Sequence, residues 1–232
     1  MEVGEPAIHP IESIRLHGVP EIIELSIDLT DRIPPDDPRG DEMIGDISWH
    51  SDLTYTAEPS RGSLLLAVDV PPDGGDTGFV DMAMVYAALP PVTRSRIESL
   101  ELVHSFAEIP DEQLEPAVRA AESGASSLPD FPRVAHPLVH RHPISGQRVL
   151  NISPSFARAV VGWSKADSTE LLAELEAFAT QDSFTYFHRW NAGDLVIWDN
   201  WRTMHTATGH KRRYRRRMLR TTVRGAPLPP AA

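Results

Sequence analysis

The chain has 232 residues, of which 41% are hydrophobic, and its formal net charge is −11 at pH 7. The length and the hydrophobic content suffice for one sizeable domain, and the negative charge argues against a nucleic-acid partner. There is no cysteine, so disulfides and thiolate metal sites are excluded, and any metal must bind to His, Asp or Glu. We find no secretory signal and no apolar run of about 18 residues, and therefore expect a cytoplasmic protein without a membrane partner.

Apolar runs between turn residues predict strands, which in chain order are 21–28, 47–55, 62–70, 148–153, 184–190, 193–200 and 215–225. Capping residues and helical periodicity predict helices over 81–89, after Pro90-Pro91, over 111–124 and over 164–181. Many short strands with an inserted helical block predict a mainly β fold with flanking helices (α+β) on a double-stranded β-helix (jelly roll) core. We assign residues 1–226 to a single domain and residues 227–232 to a disordered tail.

The stretch WHSDLTY carries two potential metal ligands, His50 and Asp52, two positions apart. On a strand, alternate side chains share a face, so both would enter the same small volume. His50 and Asp52 would then supply two of the three ligands of a facial triad, which consists of two histidines and one carboxylate. The pattern is equally compatible with an ordinary strand that contains a histidine. For the third ligand His205 is best placed, because it follows the predicted strand GDLVIWDN. We expect the remaining candidates to be surface or hydrogen-bonded core residues, namely His104, His136, His140, His142 and His188.

A basic segment, KRRYRRRMLR from Lys211 to Arg220, contains seven cations in ten residues. It fits a solvated basic face or a phosphate-binding patch. Strand alternation offers a sharper interpretation, in which Arg216 and Arg220 point inward while Arg215 and Arg217 point outward. Two inward guanidinium groups would need two anions, and the planar fork of arginine suits carboxylates or sulfonates.

The motifs WHSD, GGDT and WDN, together with His205 and the arginine pair at 216 and 220, resemble one family. This is the taurine dioxygenase / 2,4-dichlorophenoxyacetate dioxygenase family of Fe(II)- and 2-oxoglutarate-dependent oxygenases. The similarity extends from about His9 to Gly225. It implies the double-stranded β-helix fold, an Fe(II) cofactor, 2-oxoglutarate as co-substrate and O2 as oxidant.

The resemblance also implies roles for single residues. His50, Asp52 and His205 correspond to the iron ligands, which are the catalytic centre. Thr77 and Arg216 correspond to the pair that binds the distal carboxylate of 2-oxoglutarate. Three residues correspond to positions that bind or line the primary substrate: Arg220, His9 and Tyr55.

The resemblance implies hydroxylation of a C–H bond in a small acidic substrate, a carboxylate or a sulfonate. If the carbon bears oxygen, nitrogen or sulfur, the adjacent C–O, C–N or C–S bond is then cleaved. Halogenation is disfavoured, since Asp52 takes the iron position that a halide would need. The alternative is a catalytically impaired family member that binds an anion through residues 211–220. Whether the chain forms a homo-oligomer stays open.

Three departures from the family pattern stand out. The chain is short at its N-terminus relative to the family. A third interpretation is therefore an intact fold whose activity is impaired by the short N-terminus. Trp201-Arg202 follows the WDN motif where relatives often have arginine directly after asparagine, so contacts next to the iron ligand are in question. Glu12 replaces an aromatic residue, which weakens an assignment to taurine itself.

Overall fold

Strands form most of the secondary structure in the computed structural model, which describes residues 4–27, 33–34, 36–106 and 131–231. In chain order they are β1 (Pro6–Ala7), β2 (Arg15–Leu16), β3 (Val19–Ile27), β4 (Met43–Ile44), β5 (Ile47–His50), β6 (Gly62–Asp69), β7 (Thr77–Asp81), β8 (Glu101–His104), β9 (Val134–Pro137), β10 (Val139–Arg141), β11 (Arg148–Leu150), β12 (Ala157–Val160), β13 (Thr185–His188), β14 (Leu195–Asp199), β15 (Thr203–Ala207), β16 (His210–Lys211) and β17 (Arg216–Val223). The helices are α1 (Met82–Ala88), α2 (Pro91–Ile97) and α3 (Lys165–Ala179), with short 3-10 turns at Glu12–Ile14 and Pro38–Asp41. The predicted mainly β fold with flanking helices is confirmed.

Two antiparallel sheets carry the residues of the candidate site. The major sheet has the strand order β14-β6-β17-β3-β2, with β1 added beside β17. The minor sheet has the order β13-β7-β15-β5. Smaller sheets are formed by β12-β8-β9, by β10-β11 and by β16-β4. Side chains of the major and minor sheets line one common cavity, so the two sheets meet at that cavity.

The helices pack against the minor sheet through the largest buried apolar cluster. Val80 of β7 and Met204 of β15 join this cluster from the sheet. Val85 of α1, Ile97 of α2 and Leu175 of α3 join it from the helices. Each of these five side chains is at most 1% exposed. The burial of this apolar surface stabilises the sheet that carries the two histidines of the candidate site.

The predicted helices that fall within the described residues are confirmed. Asp81 caps α1, because its carboxylate accepts hydrogen bonds from the backbone N–H groups of Ala83 and Met84. Ser164 caps α3 in the same way through the N–H of Asp167. The predicted apolar face of α3 also faces the core, with two residues buried and two partly buried: Leu171, Leu175, Leu172 and Phe178. The helix predicted over 111–124 lies outside the described residues.

The prediction of one strand over 47–55 is wrong in its second half. Strand β5 ends at His50, and the chain then enters a turn. Leu53 has a left-handed backbone with φ of 58°, and the N–H of Thr56 donates to its carbonyl at 2.9 Å. A left-handed residue is incompatible with a continuous strand. Asp52 therefore belongs to a turn.

The predicted disordered tail is also wrong for residues 227–231. Leu228 is buried, and the carbonyl of Pro229 accepts a hydrogen bond from the N–H of Arg141 at 3.0 Å. The N–H of Ala231 donates to the carbonyl of Val139 at 3.2 Å. The proline-rich segment therefore adds to β10, since prolines retain the carbonyl acceptors that an edge strand can use.

Several strands were not predicted from the sequence, among them β7, β8, β9, β12 and β15. Their sequences mix polar and apolar residues, so they show neither an apolar run nor a clear period of alternation. In the part of the chain that the structure describes, no helix has the length and apolar content needed to cross a bilayer.

The packing of α3 leads to a stability prediction. Leu175→Ala should lower the free energy of unfolding by about 2–5 kcal/mol, because Leu175 is fully buried and the substitution leaves a cavity. The matched control is Leu195→Ala, whose side chain is 56% exposed and whose loss should change stability by no more than about 0.5 kcal/mol. Urea unfolding of both variants measures the difference, and equal effects would contradict the assigned core.

Candidate metal centre

Two histidines face each other across neighbouring strands of the minor sheet. His50 ends β5 and His205 lies in the middle of β15, and the two are direct partners in the antiparallel register. Their ring centroids are 4.2 Å apart, and both residues are buried. Strand pairing thus joins residues that are far apart in sequence, and it gives two imidazoles to one small volume.

The hydrogen bonding of His50 determines which of its ring nitrogens is available. Its Nδ1 lies 2.8 Å from the carbonyl oxygen of Ser48. A carbonyl only accepts hydrogen bonds, so Nδ1 carries the proton and Nε2 keeps a free lone pair. Nε2 lies 3.8 Å from Oδ1 of Asp52, and Nε2 of His205 lies 3.7 Å from the same oxygen.

Asp52 reaches these histidines from a turn that a buried asparagine holds in place. The backbone N–H of Asp52 donates to Oδ1 of Asn200 at 2.8 Å. The amide of Asn200 donates in return to the carbonyl oxygens of Asp52 at 3.0 Å and Ser60 at 2.9 Å. The two residues are 148 positions apart. We predicted that strand alternation directs Asp52 toward the site. Instead, its position is fixed by the hydrogen bonds between its backbone and Asn200.

Both carboxylate oxygens of Asp52 accept hydrogen bonds. Oδ2 accepts from the hydroxyl of Ser63 at 2.7 Å, and Oδ1 accepts from Nη1 of Arg220 at 2.9 Å. Burial raises the pKa of Asp52, but the charge of Arg220 and the two facing imidazoles outweigh it, so that the pKa lies below its usual range. The buried carboxylate is therefore ionised at neutral pH.

The two imidazoles are neutral at the same pH. Burial lowers the pKa of His205 to about 3, and the neighbouring His50 adds to this shift. Burial also lowers the pKa of His50. Neutral imidazole and ionised carboxylate are the protonation states that bind a metal. Donor atoms of His50, Asp52 and His205 all lie within 4.8 Å of one another, which suits a shared metal ion.

The cavity beside this cluster is lined by both sheets. The major sheet contributes Leu25, Leu65, Trp198, Arg216 and Arg220. The minor sheet and the segments next to it contribute Ile47, His50, Thr77, His205, Thr206 and Ala207. The predicted inward direction of Arg216 and Arg220 is thus observed. The cavity combines an apolar wall with two cations, which suits a small anionic molecule.

Thr77 lines this cavity from the minor sheet, and Arg216 lines it from the major sheet. The hydroxyl of Thr77 accepts a hydrogen bond from Nε1 of Trp190 at 3.0 Å. Nε and Nη2 of Arg216 donate to the carbonyl of Gly75 at 3.3 and 3.2 Å. Gly75 has φ of +70°, and a Cβ there would lie 3.0 Å from Pro71 and 3.1 Å from Nε of Arg216. The GGDT motif thus requires glycine at this position, because a side chain would crowd Arg216.

Trp198 was not singled out by the sequence analysis. It is 7% exposed, and its ring centroid lies 4.9 Å from that of His205. Its Nε1 is buried and has no hydrogen-bond partner among the described residues. A buried indole N–H without an acceptor is unfavourable, so a ligand oxygen in the cavity would satisfy it. The only sequence signal was the position of Trp198 within the WDN motif.

The structure places His9 near the site and Tyr55 beside it. His9 is buried, and its Nδ1 accepts from the N–H of Ile11 at 3.2 Å. Burial, together with the charge of Arg220, lowers the pKa of His9 to about 4. Tyr55 packs in a buried aromatic cluster with Phe106, Phe131 and Phe156. Phe156 links this cluster to His50, with ring centroids 5.9 Å apart.

The cations of the basic segment that point away from the cavity pair with acidic residues. Arg217 donates to both oxygens of Glu24 on β3 at 3.0 and 3.1 Å. Lys211 and Arg213 both pair with Asp41, at 3.0 and 2.8 Å. Arg212 pairs with Glu42 at 3.3 Å, and Arg215 with Asp69 at 3.5 Å. These ion pairs neutralise much of the segment, which disfavours an anionic polymer as its partner.

The altered residues after the WDN motif do not touch the metal-ligand candidates. Nε and Nη2 of Arg202 donate to the carboxylate of Asp81 at 2.6–3.0 Å, and Nη1 donates to Gln147 at 2.8 Å. Nε1 of Trp201 donates to the carbonyl of Pro59 at 3.0 Å. Arg202 therefore connects β15 to the start of α1, whereas Asn200 hydrogen-bonds to Asp52.

Comparison with known proteins identifies the family. The model described as "Taurine catabolism dioxygenase TauD, TfdA family" matches residues 3–222. An alpha-ketoglutarate-dependent 2,4-dichlorophenoxyacetate dioxygenase of Cupriavidus pinatubonensis is 38% identical over 211 residues, covering 88% of this chain and 69% of the relative. An (S)-phenoxypropionate/alpha-ketoglutarate-dioxygenase of Sphingobium herbicidovorans is 36% identical over 80% of this chain and 64% of the relative. An alpha-ketoglutarate-dependent sulfate ester dioxygenase of Pseudomonas putida is 32% identical over 96% of this chain and 70% of the relative.

Solved structures agree with this grouping. A taurine dioxygenase from Burkholderia xenovorans superimposes with a TM-score of 0.73 at 31% identity, covering 96% of this chain and 68% of that one. AAD-2 in complex with Mn(II) and N-oxalylglycine gives a TM-score of 0.66 at 34% identity, covering 80% of this chain and 69% of that one. The chain spans about two thirds of the length of these relatives. It belongs to the TauD/TfdA family of taurine catabolism dioxygenases.

Proposed function

We propose that this protein is an Fe(II)- and 2-oxoglutarate-dependent dioxygenase that hydroxylates a C–H bond of a small acidic substrate. The observation that carries the proposal is the buried cluster of His50, Asp52 and His205, beside a cavity that the two histidines line together with Arg216 and Arg220. The matched relatives named as alpha-ketoglutarate-dependent dioxygenases support the co-substrate. We also infer that the two sheets around the cavity form a double-stranded β-helix.

The donor set fits Fe(II). Two neutral imidazoles and one carboxylate are the ligands of the non-haem iron oxygenases, and they leave positions open for other ligands. Cis ligands about 2.1 Å from a metal are roughly 3 Å apart. The distances of 3.7 and 3.8 Å between Oδ1 of Asp52 and the two Nε2 atoms are slightly wider, so a small closure suffices. When bound, the iron would supply O2 activation coupled to oxidative decarboxylation of 2-oxoglutarate to succinate.

The chain's own residues would orient the co-substrate. Arg216 binds the distal carboxylate of 2-oxoglutarate with its guanidinium group, and Thr77 adds a hydroxyl from the minor sheet. The indole N–H of Trp198 donates to an oxygen of the same molecule, which satisfies a buried donor that has no partner among the described residues. The apolar wall formed by Leu25 and Leu65 keeps water away from the reacting groups.

The primary substrate would carry its own carboxylate, sulfonate or sulfate group, held by Arg220. His9 is a second donor to that group, and Tyr55 contributes to the aromatic side of the substrate pocket. The named substrates of two relatives, 2,4-dichlorophenoxyacetate and a sulfate ester, are acids of this kind. When the hydroxylated carbon bears oxygen, nitrogen or sulfur, the bond between that carbon and the heteroatom is then cleaved.

The function is tested by succinate release. The purified chain is supplied with Fe(II), 2-oxoglutarate and O2, and a panel of carboxylates, sulfonates and sulfate esters is screened. We expect at least one acid to stimulate succinate formation in an iron-dependent manner, and its uncharged amide or ester to stimulate it poorly. Absence of stimulation across the panel, with Mn(II) and N-oxalylglycine still binding, would favour the impaired family member over an active enzyme.

The metal-ligand assignment predicts the behaviour of His205→Ala. Loss of an outer-sphere partner costs up to about 100-fold in metal affinity, so loss of a direct ligand should cost more than that. Titration calorimetry with Mn(II) measures the affinity, and turnover should be abolished. His17→Ala, at an exposed histidine outside the site, serves as the control. Stoichiometric tight metal binding by His205→Ala would refute the assignment.

The co-substrate assignment predicts the behaviour of Arg216→Ala. A desolvated arginine–carboxylate pair, once broken, costs about 2–5 kcal/mol, so the 2-oxoglutarate requirement should rise roughly 30-fold to several thousand-fold. The control is Arg215→Ala, on the opposite face of the sheet, where the guanidinium pairs with Asp69 at 3.5 Å. The KM for 2-oxoglutarate and the affinity for N-oxalylglycine measure the effect. An unchanged dependence in Arg216→Ala is the contrary outcome.

A further inference from the structure

One carboxylate oxygen is shared between the candidate metal position and a buried arginine. Oδ1 of Asp52 lies 3.8 and 3.7 Å from Nε2 of His50 and His205, so this is the oxygen that faces both imidazoles. The same oxygen accepts a hydrogen bond from Nη1 of Arg220 at 2.9 Å. The side chains of Asp52 and Arg220 are only 5% and 11% exposed. The arginine and a metal ion therefore use the same acceptor atom.

Oδ2 of Asp52 cannot easily replace Oδ1 as the acceptor for either the metal ion or Arg220. Oδ2 accepts from the hydroxyl of Ser63 at 2.7 Å, and Ser63 is completely buried. Rotation of the carboxylate would break that bond and leave a buried hydroxyl without its acceptor, which is unfavourable. The backbone of Asp52 is held on both sides by Asn200. Asp52 thus presents Oδ1 to the imidazoles and to Arg220, while Oδ2 is engaged by Ser63.

A metal ion and Arg220 at the same oxygen would repel each other. A divalent ion binds a carboxylate oxygen at about 2.1 Å. With Nη1 at 2.9 Å from that oxygen, the two positive charges could be separated by no more than about 5 Å. Water and salt screen buried charges weakly, so the repulsion is large in this cavity. Metal binding therefore favours withdrawal of Arg220 from Asp52.

We propose that Arg220 competes with the metal ion for Oδ1 of Asp52, and that an acidic substrate bound to Arg220 relieves this competition. The inference rests on the proposed function for the identity of the anion, but the competition itself involves only this chain and the metal. In the metal-free chain Arg220 neutralises the buried carboxylate. In the loaded chain it turns to the substrate anion instead.

The coupling works in both directions. An anion that holds Arg220 away from Asp52 strengthens metal binding, and by linkage the metal strengthens anion binding by the same factor. A neutral analogue makes no such exchange, because it gives the guanidinium no replacement for the carboxylate it leaves. Arg220 thus makes binding of the metal and of an acidic substrate mutually reinforcing.

The central experiment measures Mn(II) affinity by titration calorimetry in the wild-type chain, Arg220→Gln and Arg220→Lys. Arg220→Gln removes the competing charge and should tighten Mn(II) binding by about tenfold or more, since both the metal-free pairing and the repulsion in the loaded state are lost. Arg220→Lys keeps the charge and should stay closer to wild type. The matched control is Arg217→Gln, on the same strand but paired with Glu24, which should bind Mn(II) like wild type. Unchanged or weaker binding in Arg220→Gln overturns the proposal.

A second measurement uses the wild-type chain and does not depend on the folding of a variant. Mn(II) affinity is measured with and without 2,4-dichlorophenoxyacetate, or whichever acid of the panel releases more succinate, and with the amide of that acid. We expect the acid to tighten Mn(II) binding severalfold, the amide to leave it unchanged, and Arg220→Gln to lose the difference. Equal effects of the acid and the amide would overturn the coupling.

The two proposals fail in different ways. Iron-dependent turnover of an acid, with Mn(II) affinity unchanged in Arg220→Gln, would reject the competition and retain the oxygenase. Tighter Mn(II) binding in Arg220→Gln, without turnover of any acid, would reject the oxygenase and retain the competition.

Discussion

The buried, ionised carboxylate of Asp52 is the constraint on which the rest of the site depends. An isolated charge is strongly unfavourable in a protein interior, so the structure must surround it with compensating groups. Ser63 donates to one oxygen, Arg220 to the other, and Asn200 binds the backbone on both sides. Burial alone would raise the pKa of Asp52, and the neighbouring positive charge reverses this effect. The same negative charge makes the cluster suitable for a metal ion.

The two sheets contribute different groups to the surroundings of Asp52. The minor sheet supplies the imidazoles, because the pairing of β5 with β15 places His50 opposite His205. The major sheet supplies the cations, because alternation along β17 aims Arg216 and Arg220 into the cavity. Each sheet alone would leave its charged or polar groups unsatisfied. The cavity between them is therefore the place where a ligand would meet groups from both sheets.

The basic segment from Lys211 to Arg220 shows how one run of sequence can have two functions. Outward cations such as Arg217 form ion pairs with acids of neighbouring segments, and pairs of this kind contribute little to stability. The inward cations line the cavity, where Arg220 pairs with Asp52 and where a guanidinium group favours a bound anion. The alternation of a single strand separates a structural surface from a binding surface.

Much of the fold follows from local patterns in the sequence. The capped helices α1 and α3, the strands β3, β6, β14 and β17, and the inward arginines were predicted, because periodicity and capping are properties of neighbouring residues. Strand β15, which carries His205, was missed although it is as long as β14, because its sequence TMHTA mixes polar and apolar residues without a clear period. The packed tail at Leu228 was missed because its partners lie almost ninety positions earlier in the chain.

The sequence by itself determined the chemical types of the site: two histidines, a carboxylate and two arginines on one face of a strand. Only the tertiary structure decided how they meet. Asp52 reaches the imidazoles from a turn held by Asn200, 148 residues away, and not from the strand that alternation suggested. The pairing of Arg220 with Asp52 also arises from a contact between distant segments. Periodicity reports which way a side chain points from its own element, whereas register and long-range hydrogen bonds determine what it meets there.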